Sequence, residues 1–184
     1  MKINKVHLFW IFGLLLISLN GNSQNIKLTK QEKKEVRDAE LEANFRILDS
    51  LLSVRSFVLE ADYLLDNHGF RIPVTSTLNF VKVNGGNGVL QTGNNSYRGT
   101  NGVGGVTAEG SIGNYEISKN FKHMSYNLRF SLMTNLGIYD VFMTVNAGNH
   151  AVATITGLGP GRLSWQGSLA TIGNSVVFKG MNTM

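Results

Sequence analysis

A chain of 184 residues and 20.2 kDa with 42% hydrophobic residues is long enough to bury one hydrophobic core, and no composition break asks for a second. Gly at 21 against Pro at 2, with charged residues at only 16%, suits strands joined by tight turns. The formal charge of +5 is carried without a dense Lys/Arg block, which argues against nucleic acid, and a cysteine count of zero excludes disulfides, thiol nucleophiles and thiolate metal sites.

The chain begins with the pattern of an export signal. Met1 to Lys5 carries two lysines, Val6 to Leu19 is largely apolar and short for a bilayer span, and Gly21 and Ser23 are the small residues that precede a cut before Gln24. Residues 1–23 are therefore expected to be removed, and loss of Lys2 and Lys5 takes the charge from +5 to +3. No membrane span is expected afterwards, and the processed chain is expected to be periplasmic or secreted.

Residues 24–55 are expected to hold one amphipathic helix. Thr29 and Glu32 form a capping box, in which each side chain satisfies an amide that the helix start leaves without a partner. Leu41, Phe45, Leu48 and Leu52 recur at helical spacing, while Lys30, Lys33, Lys34, Glu35, Arg37, Asp38, Glu40, Glu42 and Arg46 fill the rest. The spacing predicts a helix from Thr29 to about Val54 with a solvated first half and a docked second half.

From Ser56 the period changes to two. Phe57, Leu59, Ala61 and Tyr63 share one face, and Val58, Glu60 and Asp62 share another that reads as wet. Asn67, His68 and Gly69 make a turn, Arg71 to Val83 is strand-rich, and Asn84 to Gly88 turns into a short strand from Val89 to Thr92. Gly93 to Gly105 reads as a long loop. Gly105–Glu109 and Ile112–Asn120 are expected as two strands turning at Gly110 and Ser111. Tyr126–Leu132, Tyr139–Val145, Ala151–Ile155 and Leu163–Leu169 then alternate in turn, and Ser175–Lys179 is either a last short strand or a tail.

Turns of hairpin length leave no room for crossover helices, so the fold class is mainly β: an antiparallel meander forming a barrel or sandwich over residues 56–171, after the one N-terminal helix and before a C-terminal piece at 172–184. Alternation alone assigns faces and not strand order, so the two architectures stay open.

Several stretches resemble the domain-of-unknown-function family numbered 4251. They are Phe57 to Tyr63, the run Asn101, Gly102, Val103, Gly104, Gly105, Val106 with Gly110, the strand pair from Tyr126 to Val145, and Trp165, Gln166, Gly167 with Val177, Phe178, Lys179, Gly180. The resemblance covers most of the chain after the signal, and it implies an exported protein of Bacteroidota-type bacteria with no activity to carry over. Many members have an aromatic, Pro-containing stretch where this chain has Leu90 to Asn95.

Catalytic patterns are weak. The glycines at 102, 104 and 105 lead into a strand-like run rather than a helix, so they match neither a dinucleotide fingerprint nor a P-loop. No Ser sits in a nucleophile elbow, and His68, His123 and His150 are isolated turn residues without metal-ligand spacing. Glu60, Asp62, Glu116 and Asp140 are the strand acids from which a two-carboxylate hydrolase would have to be assembled. Trp165 shares a face with Leu163 and Leu169 and reads as core. Tyr97 and Arg98, in the long loop, are the best placed for ligand binding, because loops on a rigid β scaffold host recognition groups.

The reading that follows is a non-enzymatic exported β-domain with a ligand-binding or structural role, needing no cofactor and no metal, and working as a monomer or weak homo-oligomer. Its partner would be a small ligand or an envelope protein. The alternatives are a carboxylate-dependent hydrolase of envelope or dietary polymers and an envelope assembly protein docking through its N-terminal helix.

Overall fold

The computed structural model describes residues 29–66, 68–95, 99, 101–157 and 161–184. The chain divides into two units, Met1–Val36 and Arg37–Met184. In the first, the capping box forms as the sequence requires: the Glu32 amide donates to Thr29 Oγ1 at 3.2 Å and the Thr29 amide to the Glu32 carboxylate at 2.7 Å. It starts helix α1, Lys30–Val54.

Among the described residues nine strands follow: β1 (Ser56–Leu65), β2 (Arg71–Pro73), β3 (Phe80–Asn84), β4 (Asn87–Gln91), β5 (Thr107–Asn120), β6 (Ser125–Thr134), β7 (Gly137–Asn146), β8 (Ala151–Thr156) and β9 (Arg162–Ala170). Every neighbour pair is antiparallel, and β1 pairs with both β3 and β9. The meander therefore closes into an eight-stranded antiparallel barrel, with the three-residue β2 added beside the far end of β1. Closure removes the unpaired sheet edges that a sandwich leaves.

The two-residue period decides what points inward. On β7, Tyr139, Val141, Met143 and Val145 are buried while Ile138, Asp140 and Phe142 are exposed. Trp165, Tyr126, Phe57, Phe130, Leu59, Leu90, Leu128, Leu132, Met143 and Ile155 are all less than 2% exposed and join one core cluster. An eight-stranded barrel is just wide enough for such side chains to fill it. Gly167 is required by close approach of β9 to β1, because a Cβ there would stand 1.9 Å from the Glu60 carbonyl oxygen.

The second half of α1 belongs to that core. Phe45, Leu48 and Leu52 are buried in the same cluster, each contributing roughly 1.5–3 kcal/mol before entropy. Tyr126 Oη donates to the Phe45 carbonyl at 3.1 Å, and Tyr115 Oη donates to the Leu52 carbonyl at 2.7 Å. Lys119 Nζ lies 3.0 Å from Asp49 Oδ2 and within 5.4 Å of the ring centres of Phe45, Phe121 and Tyr126. Hydrogen bonding to Lys119 holds the Asp49 carboxyl below its usual range, and burial pushes the Tyr115 phenol up to about 12. After the helix, Arg55 takes a left-handed φ of 55° and lays its guanidinium 4.5 Å from the Tyr115 ring centre.

Three local expectations are corrected. Gly110 and Ser111 do not turn the chain: β5 runs unbroken through them and carries an irregularity between Gly113 and Glu116 instead. Gly110 is there because a Cβ would meet the Met133 carbonyl oxygen at 1.9 Å, a need for close strand approach that looks like a turn signal in one dimension. Arg71–Val83 is not one strand, since β2 ends at Pro73 and β3 starts at Phe80 after a turn. Val58 is not on a wet face: it is 1% exposed, in a second cluster with Phe80 and Val89 outside the barrel. Ser175–Lys179, expected as either a short strand or a tail, forms no strand and lies across that outer cluster, with Ile172 and Val177 packed on it.

Candidate functional site

The C-terminal segment, residues 171–184, is a strap over the outer side of β1, β3, β4 and β5. Its hydrogen bonds explain which polar residues the outer face can bury. Ser175 Oγ donates to Glu60 Oε1 at 2.6 Å, and the Phe178 amide donates to the Thr77 carbonyl at 2.8 Å. The Thr183 amide reaches the Thr107 carbonyl at 2.9 Å, and the Thr107 amide returns a bond to Thr183 Oγ1 at 3.0 Å.

Gln91 is the centre of this attachment. Its Nε2 donates to the Leu78 and Phe178 carbonyls at 3.1 and 2.8 Å, while its Oε1 accepts from Thr107 Oγ1 at 3.0 Å and the Gly180 amide at 2.7 Å. Gln91 and Thr107 are 0% exposed although both point away from the barrel interior, a burial that needs every donor and acceptor matched. They are: among the described residues no buried side-chain nitrogen or oxygen lacks a partner.

The long loop is fastened to the same centre. Asn101, 1% exposed, donates to Thr107 Oγ1 at 3.1 Å and accepts the amides of Val103 and Gly105. Asn79 clamps the start of the loop by exchanging bonds with the Gly93 carbonyl and amide at 2.8 and 3.1 Å. A groove of about 390 Å³ lies between loop and strap, lined by Leu78, Asn95, Gly102, Val103 and Phe178. Tyr97 and Arg98, expected from the sequence to bind a ligand, lie outside the described residues. A second groove, of about 440 Å³, has Phe80, Lys82, Asn87, Val89, Val177 and Lys179 among its lining residues.

The strand acids are placed apart. Glu60 is held by the strap, and Asp62 is exposed at the irregularity of β1. Asp140 accepts from Ser131 Oγ at 2.6 Å on the far side of β8 and β9, and Glu116 stands opposite Arg129. His68, His123 and His150 are exposed in three different turns. Among the described residues no group of three or more His, Asp or Glu is arranged to hold a metal ion. No described helix is long and apolar enough to cross a membrane.

Sequence reasoning missed Gln91, Thr107 and Asn101 as a unit. Gln91 bonds to residues 87 and 89 positions away, and no local pattern signals that a distant tail will cover it.

Comparison with known proteins agrees with the barrel. The family model described as a domain of unknown function (DUF4251) matches residues 39–169. The crystal structure of a DUF4251 family protein from Bacteroides eggerthii is similar, with a TM-score of 0.62 and 32% identity, covering 72% of this chain and 91% of that one. Among curated proteins none matches.

Proposed function

The chain belongs to the DUF4251 family, a domain of unknown function, and from that premise we propose that it is an exported, non-enzymatic β-barrel that binds a small ligand at the groove between loop and strap. The observation that carries the reading is the anchoring of the loop. Asn79 and Asn101 tie Gly93 and the Asn101–Gly105 run to the barrel, so the described walls of the groove rest on a rigid base, and Tyr97 and Arg98 enter the proposal from the sequence alone. The walls Leu78, Val103 and Phe178 are apolar, and a groove of about 390 Å³ is within the usual range for small-molecule sites. Filling of the barrel interior supports recognition on the outside, unlike barrels that enclose their ligand. The wide separation of Glu60 and Asp140 favours binding over two-carboxylate chemistry. Burial of Phe45, Leu48 and Leu52 favours a helix that completes the domain over one that docks elsewhere.

Native mass spectrometry of the protein purified from its own cell envelope tests this. The expected mass corresponds to a chain starting at Gln24 plus a retained small molecule, and the added mass disappears in the Tyr97→Ala, Arg98→Ala double variant while the thermal midpoint stays within about 2 °C. A chain retaining residues 1–23, a bare chain, or an added mass that survives the double substitution overturns it.

A further inference from the structure

Lys82 is the outward residue of β3 whose surroundings are least suited to a cation. Its cross-strand neighbours are Val58 on β1 and Val89 on β4, both buried on the same outer face. Its stem is half-buried, and its ammonium makes no hydrogen bond or close ion pair with any described residue, acting on the Glu109 carboxylate only through its charge. That acid is already engaged: Glu109 is bound by Lys179 Nζ and, at 3.0 Å, by Asn182 Nδ2. Lys82, Lys179 and Glu109 together leave one positive charge unmatched in the 440 Å³ groove. Apolar surface from Val89 and Val177 lies beside it, and the Asn84 and Asn87 amides stand across the β3–β4 turn from one another.

We propose that this groove is a second binding site, separate from the loop groove, and that it takes a small organic carboxylate with a short apolar body. The carboxylate pairs with Lys82 and accepts from the Asn84 or Asn87 amide, while the apolar body lies against Val89 and Val177. An ion pair alone at a half-exposed site is weak, so the charge and the apolar contact are both required for binding. The groove is built before a ligand arrives, because backbone bonds from Phe178, Gly180 and Thr183 fix the strap that forms its wall. Nothing in this assignment depends on Tyr97 or Arg98.

The test is titration of the purified protein with octanoate, and with octanol as the uncharged control, followed by amide and methyl NMR shifts. Octanoate should move the signals of Asn87, Val89 and Val177, Lys82→Gln should weaken it at least ~10-fold, and Lys82→Arg should keep most of the affinity. Gln166→Leu, on β9 and outside the groove lining, should change nothing. Equal binding of octanol and octanoate, unchanged affinity in Lys82→Gln, or shifts confined to other parts of the barrel each overturn the proposal, as does the absence of any shift.

Discussion

One barrel here has two kinds of outer surface. Under the strap, the outward residues Val58, Phe80, Gln91 and Thr107 are at most 1% exposed; on β6, β7 and β8 the equally outward Arg129, Phe142 and Val152 face solvent. Both surfaces come from the same alternation, so strand pattern did not make them different. A segment that joins no sheet made the difference, by supplying amides and carbonyls in the positions where Gln91 and Thr107 need them. A buried amide is stabilising only in that matched state.

Three experiments separate the surfaces, in order of size. Deleting residues 171–184 uncovers Val58, Phe80 and Val89 and strips partners from Gln91 and Thr107; the expected loss is on the order of 5 kcal/mol, enough to unfold a marginal domain, and urea denaturation reads it directly. A truncated chain as stable as the parent would make the strap an ornament. Next, Gln91→Leu leaves the Phe178 carbonyl and the Gly180 amide unmatched and should cost about 2–3 kcal/mol, whereas Gln166→Leu on β9, a half-buried side chain outside these hydrogen bonds, should stay within about 0.5 kcal/mol. Similar midpoints for those two variants would erase the contrast.

The smallest effect depends on pH. Hydrogen bonding to Lys179, then to Asn182, holds the Glu109 carboxyl below its ordinary value of 4.5. A group with a depressed folded value contributes stability above its unfolded value and loses it as acid protonates the folded form. The stability gap between the parent and Glu109→Gln should therefore be constant above about pH 5, below about 1 kcal/mol because the pair is partly exposed, and should close as the pH falls through and below 4.5. A gap that widens in acid contradicts the pairing.

The barrel was largely legible because period-two alternation is a local property: Phe130, Met143 and Ile155 announce their faces within a few residues. The capping box of α1 was legible for the same reason. Closure was not, since pairing of β1 with β9 joins segments about a hundred residues apart, and nothing in either strand names the other. Gly110 misled because one glycine serves a turn and a close strand approach equally well. Of the candidate site, the loop was visible in its glycines and asparagines, while the strap groove was not. Val58 and Lys82 look like ordinary members of wet faces until the tail is laid over them.

The pairing of the first long strand with the last also sets an order of events. Residues 58–65 cannot find their β9 partners until residue 170 has been made, and the hydrogen bonds along that seam form only between the most distant parts of the domain. Such high contact order predicts slow maturation, with the final zippering, rather than the hairpins, limiting the rate.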